Sequence, residues 1–492
     1  MNTPLRIALV VGAIIVAAVL GLVVGLSGSV PTADYGFAVG FLGFVLLAPL
    51  VIARFVRRRR ALALLPAVSG FFVLEFAIGG LFYRNPRSDS VLLDLAFIYD
   101  ARAMSIALLL AFGGWLLLLA GYALATPIAA WFRRIPQPTV SPSAFVPTVI
   151  VLLLIGWIAR AAMFSQGWYF HIGDVPTTQS AARNLVVTLA NLPLVAAALL
   201  GVQYYRGEAS IRWLYWAMIG MEVVWAVPSG ERSRLIGLGV LLLVVRYYMS
   251  QKPLPRVGVA VGVLAAVLVI FPFGVAYREG DGTTYGYQED PVGRMGAAVG
   301  TLASGYANEP IDSVTNGVDQ TLRRFAGITS LAVMVEQGPG KYPAEPGFAL
   351  RSYASAVVPR AVFPGKADPS RVANDFGVRY RIIRPGNPSA VAMTTLGDFW
   401  GTFGLLGLGL GMVLVGGALR GLDEYFRDLR ESPAMLAVYA TALGAFLVSF
   451  ETTFAVGFLQ TVREGLVYLI VLGSISVAFA VVRSRPRVAR MA

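Results

Sequence analysis

The chain has 492 residues, of which 57% are apolar and only 14% are charged, against roughly 25% charged residues in soluble domains. This composition, with a mean hydropathy of +0.70, excludes a water-soluble fold and predicts an all-α polytopic membrane protein. The absence of cysteine and the presence of a single histidine exclude disulfides, thiolate metal sites and multi-histidine metal centres. The net charge of +13 rests on 37 Arg and 3 Lys, and arginine binds phosphate oxygens bidentately.

Apolar segments close to the length of a bilayer core recur along the whole chain. They run over 6–26, 36–53, 61–83, 103–125, 145–164, 185–205, 213–229, 235–250, 257–277, 399–419, 433–450 and 465–482. We therefore expect about twelve transmembrane helices. The first segment is as long as a full span, and we interpret it as a retained anchor and not as a cleaved signal peptide.

Arginine clusters follow the second, fourth, sixth, eighth, tenth and twelfth segments, and the densest is the RRRR run at 57–60. By the positive-inside rule these connections and both termini face the cytoplasm. Helices one to nine then occupy 1–277, and 278–398 form one large, partly helical extracytoplasmic loop between helices nine and ten. The last unit, 399–492, contains helices ten to twelve and a cytoplasmic tail.

Half of the 40 basic residues fall outside these cytoplasmic segments. The short outer loop SGERSR, 229–234, carries Arg232 and Arg234 where the orientation rule expects no positive charge. A local ion pair with Glu231, or snorkelling to lipid phosphates, is the simpler explanation. Binding of an anionic substrate is the alternative.

The large loop contains segments with an amphipathic pattern of residues as well as many charged residues. Residues 318–340 predict one amphipathic helix that lies on the membrane or on the bundle, and a second short helix is expected over 347–358. The apolar face of the first would contain Leu322, Phe325, Ile328, Ala332 and Val335. The remainder of the loop, up to the tenth span, reads as irregular because it is rich in Pro and Gly.

Seven basic residues lie within 34 positions of this loop and predict an anion site. They are Arg351, Arg360, Lys366, Arg371, Arg379, Arg381 and Arg384. Anionic lipid head groups or an acidic polysaccharide are alternatives to a pyrophosphate. Because the chain has no P-loop, GxSxG or HExxH motif, the energy of any reaction must come with the substrate. An outer lipid-linked pyrophosphate donor satisfies this requirement without metal, cofactor or nucleic acid.

Two stretches resemble the O-antigen polymerase family, the Wzy-type oligosaccharide repeat-unit polymerases. SGERSRLIGLGVLLL is similar to that family's short arginine loop. VVPRAVFPGKADPS followed by SAVAMTTLGDFWGTFGLLGLGLG is similar to its Pro-Arg and Pro-x-Lys loop and its glycine-rich return to the membrane. The resemblance covers the architecture of the whole chain but only about 60 residues of recognisable sequence.

The resemblance implies a metal-independent glycosyltransferase of the GT-C type in a bacterial inner membrane. Such an enzyme joins undecaprenyl-pyrophosphate-linked oligosaccharides on the periplasmic side, alongside a flippase and a chain-length regulator. Arg232 and Arg234 match the short-loop arginines, and Arg360 and Lys366 match the Pro-Arg and Pro-x-Lys positions. These side chains would stabilise the departing pyrophosphate, with the other loop arginines binding substrate.

A general base on the acceptor hydroxyl would add to the rate, and the candidates are His171, Glu231, Asp375 and Asp398. His171 lies beside Trp168 and Tyr169, which suit sugar stacking and equally suit an interfacial aromatic belt. The related O-antigen ligases use an outer-loop histidine in this kind of role. Asp398, immediately before the tenth span, also fits a cap of that helix.

Two acidic residues, Glu75 and Glu222, fall inside predicted spans, where charge is costly. Glu222 is expected to orient the arginines of the short loop, and Glu75 to pair with a buried partner.

Other functions remain open at the level of sequence. An O-antigen ligase would share the fold and the donor and differ only in the acceptor. A polysaccharide transporter or flippase would have a similar number of helices. It predicts polar residues along a pathway and related halves, but the sequence shows neither an internal repeat nor a matched pair of broken helices. A structural or sensory membrane protein explains the helices and leaves the outer arginines unexplained.

Overall fold

A computed structural model describes the chain over 33–58, 60–84, 100–172, 181–250, 256–279, 286–287, 291–325, 327–341, 346–358, 371–385 and 391–488. Within these residues the fold is helical, apart from a two-residue antiparallel pair, β1 (His171–Ile172) and β2 (Gly286–Tyr287), in which His171 is opposite Tyr287. This agrees with the all-helical membrane fold predicted from composition.

Helices of the first half alternate with short connections and two π-helical turns. They are α1 (Ala33–Arg57), α2 (Leu64–Phe72), α3 (Gly79–Arg84), α4 (Ala101–Leu124), α5 (Thr126–Phe132), α6 (Phe145–Ser165), α7 (Ala181–Leu189), α8 (Leu192–Tyr205), α9 (Arg212–Ala226), α10 (Arg232–Met249), α11 (Arg256–Ala265) and α12 (Phe271–Glu279). The π-helical turns Val73–Ile78 and Ala266–Ile270 join α2 to α3 and α11 to α12.

Five helices follow in the large loop and three in the last part of the chain. They are α13 (Pro291–Asn308), α14 (Pro310–Leu322), α15 (Gly327–Lys341), α16 (Pro346–Val357), α17 (Arg371–Arg379), α18 (Thr394–Tyr425), α19 (Pro433–Ser449) and α20 (Thr461–Val488). A third π-helical turn, Ala455–Gln460, leads directly into α20.

Eleven of the twelve predicted spans coincide with helix, and the first lies outside the described residues. Eight helical segments of the described chain are long and apolar enough to cross a membrane. The segments at α9, α10 and α19 are shorter or more charged, and α19 has 17 residues. A helical membrane protein is thus confirmed, while twelve crossings remain a prediction.

Helix α4 forms the centre of the bundle and packs closely against α18. Gly121 and Gly416 make this possible, since a Cβ on either would lie 2.0 Å from a carbonyl oxygen of the other helix. Small residues permit this approach because there is no side chain between the backbones. Trp115 on the same helix is fully buried and donates to Ser69 Oγ at 3.2 Å.

One end of the bundle is held by a buried acidic pair, Asp423 and Glu424, near the end of α18. Asp423 accepts from the Leu64 amide and the Tyr122 hydroxyl, both at 2.9 Å. Glu424 pairs with the guanidinium groups of Arg133 and Arg420. Arginines predicted to be cytoplasmic after two different spans, the fourth and the tenth, therefore meet at one end of the structure.

The predicted amphipathic helix over 318–340 is two helices and not one, which corrects the sequence interpretation. α14 ends at Leu322 and α15 begins at Gly327. The break is set from outside the segment, because the Glu75 carboxylate accepts from the Gly327 amide at 2.6 Å. A Cβ on Gly327 would lie 2.6 Å from that same carboxylate. Glu75 thus has a buried backbone partner.

The second loop helix is confirmed as α16, whereas the stretch beyond it is more ordered than predicted. Within the described residues, α17 interrupts the expected irregular loop. Its apolar face, with Val372 and Phe376, is buried against Met334 of α15. The Gln337 side chain donates to the Tyr380 carbonyl at 2.9 Å and holds the end of α17 in place.

Candidate functional site

A cavity of about 460 Å³ lies between α7, α8, α10, α19 and α20. It is formed by the helix ends that the orientation rule places on the outer side. Arg234 lies in the first turn of α10, whereas Tyr247, near the other end of the same helix, accepts from the Ala61 amide beside the Asp423 network. At 1.5 Å per residue these two positions are about 20 Å apart along α10.

Arg234 carries the positive charge of the cavity wall. Its Nε donates to Glu231 at 2.7 Å, and its side chain is 22% exposed. Its Nη1 atom is buried and makes no hydrogen bond to any residue that the structure describes. One edge of the guanidinium is therefore satisfied by Glu231, and the partly exposed side chain contributes positive charge to the cavity wall.

Arg232, two residues earlier, faces elsewhere and does not line the cavity. Its aliphatic stem lies over Gly274, where a Cβ would approach Arg232 Cδ to 2.6 Å, and its guanidinium carbon is 5.6 Å from the Phe271 ring centroid. Both contacts belong to α12. Tyr277 of α12 also donates to the Pro228 carbonyl, in the turn that precedes α10, at 2.8 Å. Arg232 thus packs at the interface between α10 and α12.

A buried ion pair, Arg160 on α6 and Glu222 on α9, lies beneath the cavity. Their side chains are 1% and 3% exposed, and Arg160 Nη2 is 2.6 Å from Glu222. Arg160 Nε also donates to the Ala190 carbonyl at 2.9 Å. The sequence predicts that Glu222 orients the loop arginines, but Glu222 pairs with this deeper arginine, which connects α6, α9 and the turn before α8.

Aromatic rings connect the ion pair with the cavity. The Arg160 guanidinium is 4.8 Å from the ring centroids of both Trp157 and Trp225. Trp225 contacts Tyr169 with centroids 4.1 Å apart, and Arg234 lies 5.3 Å from the Tyr169 ring. Arginine and aromatic groups thus alternate from the bundle interior to the cavity wall, a favourable arrangement for cations in a dry environment.

Trp168 and Tyr169, the predicted sugar-stacking pair, lie in packed positions. Tyr169 is 4% exposed and its hydroxyl donates to the Trp225 carbonyl. Burial raises the pKa of Tyr169 to about 12. Trp168 packs beside Ala159, Met163 and Ala190, and Arg183 lies over its ring at 5.7 Å. Of these aromatic side chains, Trp225 is the one that lines the cavity.

A second polar wall comes from the end of α19 and the start of α20. Ser449, Thr452, Gln460 and Glu464 line it, with Asn191 from the start of α8. Gln460 Nε2 donates to the Glu464 carboxylate at 3.2 Å. Hydroxyl, amide and carboxylate groups of this kind suit the hydroxyls of a sugar, and none of them was identified from the sequence.

Asp398, a predicted proton acceptor, is fully buried inside α18. One carboxylate oxygen accepts from the Phe454 amide at 2.9 Å and the other from the Thr402 hydroxyl at 3.3 Å. The Tyr353 hydroxyl faces the same carboxylate, and burial together with the Asp398 charge raises the pKa of Tyr353. Asp398 therefore caps the start of the last helical segment and not the tenth span, which the alternative interpretation expected it to cap.

The remaining predicted site residues are only partly placed. Arg360 and Lys366 lie outside the described residues, as do the side chains of Arg371 and His171. Arg351, Arg381, Arg384 and the base candidate Asp375 are exposed on or beside α16 and α17. Arg379 is half-buried, with its guanidinium 6.0 Å from the Tyr380 ring. None of these described residues lines the cavity.

The loop nevertheless reaches the cavity region through α16. Arg463, the neighbour of Glu464, donates to the Ala356 carbonyl of α16 at 3.2 Å. Tyr353 of α16 also contacts the Phe454 ring, with centroids 5.3 Å apart, just before the π-helical turn. The helix that carries Arg351 is thus anchored to the segment that forms the second cavity wall.

Comparison of the chain with protein-family models, with curated proteins and with solved structures finds no match. The groups available in the cavity are one arginine with a carboxylate partner, one further carboxylate, and several hydroxyl and amide side chains.

Proposed function

We propose that the protein is a membrane glycosyltransferase that joins polyprenyl-pyrophosphate-linked oligosaccharide units, in the manner of a Wzy-type polymerase, on the outer side of a bacterial inner membrane. The observation that supports this most directly is Arg234, whose partly exposed guanidinium lies on the cavity wall and is oriented by Glu231 at 2.7 Å. A pyrophosphate oxygen is the partner that a guanidinium fork binds best.

The chemistry follows from where charge develops. The acceptor hydroxyl attacks the anomeric carbon of the donor sugar, and polyprenyl pyrophosphate leaves with the electron pair of the broken C–O bond. Negative charge then increases on the pyrophosphate oxygens, so Arg234 binds the transition state more tightly than the ground state. The outer-loop residues Arg360 and Lys366 are further candidates for the same anion.

The size and the composition of the cavity also support a glycan substrate. About 460 Å³ lies within the usual range for small-ligand sites, and it accommodates the reacting sugars while the lipid tail stays in the bilayer. Trp225 supplies an aromatic surface, and Ser449 and Thr452 supply hydroxyls. Sugars are bound by this combination of a ring face and hydrogen-bonding groups.

Purified protein incubated with one lipid-linked repeat unit, without nucleotide, tests the proposal. We expect longer lipid-linked oligosaccharides, which Arg234→Ala fails to make and the exposed control Glu431→Gln makes normally. Absence of elongation by the wild-type chain, with an intact donor, contradicts the proposal. Transfer only to an added acceptor of different chemistry, such as lipid A, would assign the ligase reaction instead.

A further inference from the structure

Two carboxylates line the cavity, and their surroundings differ. Glu231 is 2.7 Å from Arg234 and its negative charge is compensated by that guanidinium. Glu464, in the first turn of α20, has no Lys or Arg within ion-pair distance among the residues that the structure describes; its hydrogen bond comes from Gln460 at 3.2 Å. The adjacent Arg463 donates instead to the Ala356 carbonyl.

A carboxylate without a cationic partner is costly inside an apolar helical bundle, and such residues usually serve a function. Glu464 lies within a 27-residue apolar segment, Ala455–Val481. Its single described hydrogen-bond donor is an uncharged amide, which leaves carboxylate lone pairs available to a ligand. A general base requires this combination, because it must face the substrate and must be able to take up a proton.

We propose that Glu464 is the proton acceptor for the attacking hydroxyl of the acceptor sugar; this inference rests on the proposed glycosyltransferase function. As the acceptor oxygen forms its bond to the anomeric carbon, the hydroxyl proton moves to the Glu464 carboxylate. The C–O bond to pyrophosphate breaks, and its electron pair leaves with the phosphate beside Arg234. Glu464 returns the proton to water once the elongated product has left.

The assignment divides the cavity between two substrates. Arg234 serves the donor pyrophosphate, and Glu464, with Gln460 and Ser449, serves the acceptor sugar. Glu231 remains the partner of Arg234 and keeps its guanidinium oriented. Loss of Glu464 should therefore affect the rate of transfer, whereas loss of Arg234 should affect the binding of donor as well.

The test measures donor binding and turnover separately for three purified variants, with a radiolabelled lipid-linked repeat unit as the probe. We expect Glu464→Gln to bind donor as the wild type does. Its kcat should be lower by a factor of about 10² to 10⁴, the usual contribution of a general base. Glu464→Asp should recover part of this loss. Glu431→Gln, an exposed carboxylate change between α18 and α19, should match the wild type.

The pH profile supplies the second readout. Wild-type turnover should fall as the pH is lowered and Glu464 becomes protonated, and this limb should be absent from the residual activity of Glu464→Gln. Turnover of Glu464→Gln within threefold of the wild type, or an unchanged acid limb, overturns the assignment alone. A wild-type chain that neither binds nor elongates an intact donor overturns the proposed function, and the assignment with it.

Discussion

Arg232 and Arg234 are separated by one residue on α10 but serve different contacts: Arg232 lies over Phe271 and Gly274 of α12, and Arg234 lies on the cavity wall beside Glu231. Two positions apart on an α-helix means about 200° around its axis. The pair that the sequence grouped as one anion clamp can therefore be separated experimentally.

We expect Arg234→Ala to weaken donor binding and to abolish long glycan chains while the protein still accumulates in the membrane. Arg234→Lys should also fail, because an ammonium cannot bind Glu231 and a phosphate oxygen with the same planar fork. Gel analysis of chain length checks both. Normal ladders in both variants would remove Arg234 from the mechanism.

Arg232→Met keeps the aliphatic stem over Gly274 and removes the charge. Because Arg232 packs at the interface between α10 and α12, this variant should retain donor affinity and polymerise, whereas Arg232→Ala should lower the thermal stability of the purified protein. Loss of donor affinity in Arg232→Met, with unchanged thermal stability, would instead show that Arg232 binds the substrate.

Arg160 and Glu222 should stabilise the protein only when both are present. Replacing Arg160 by Met leaves a buried carboxylate uncompensated, and we expect a loss of about 3 to 5 kcal/mol of stability. The double variant Arg160→Met with Glu222→Met should lose clearly less than the sum of the single variants. Thermal unfolding in detergent, followed by size-exclusion chromatography, measures this difference, and additive losses would contradict the pairing.

Asp398→Asn distinguishes a cap from a base. An asparagine oxygen still accepts from the Phe454 amide but cannot take up a proton, so we expect the variant to fold and to polymerise at a rate close to the wild type. Asp398→Leu removes the acceptor and should destabilise the chain by about 1 to 3 kcal/mol. A folded Asp398→Asn variant without activity would make Asp398 a proton acceptor.

Because the chain contains no cysteine, single cysteines can report its orientation. Gln166 follows α6 near the cavity end, and Glu431 lies near the Asp423 end; both are exposed. In intact spheroplasts we expect an impermeant maleimide to label the Gln166→Cys variant and to label Glu431→Cys only after permeabilisation. The reverse pattern would place the cavity in the cytoplasm and contradict an outer active site.

The positions of the helices were predictable because hydropathy reports a property of each segment alone. The break between α14 and α15 was not, since its determinant, Glu75, is 252 residues away in sequence from Gly327. The helix α17 was not predicted for a related reason. Its short apolar face is stabilised only by contact with α15.

The site was predicted only in part, because some of its residues give a local signal in the sequence and others depend on contacts between distant segments. Arg234 and Glu231 stand out because they share one short loop between two apolar segments. Arg160 and Glu222 could have been found as opposite charges inside separate spans, since buried charges in a membrane pair with one another. Glu464 gives no such local signal, because its significance depends on the cavity that α8, α10 and α19 close around it.

The π-helical turn at Ala455–Gln460 determines which side chains of α20 face the cavity. It begins where Asp398 holds the Phe454 amide and ends just before the turn that carries Glu464. Deleting one residue here would rotate Glu464 by about 100° around the helix axis and shift it by about 1.5 Å along the axis. The carboxylate would then point away from the cavity. This stretch should accept many changes of apolar side chain but no change in length.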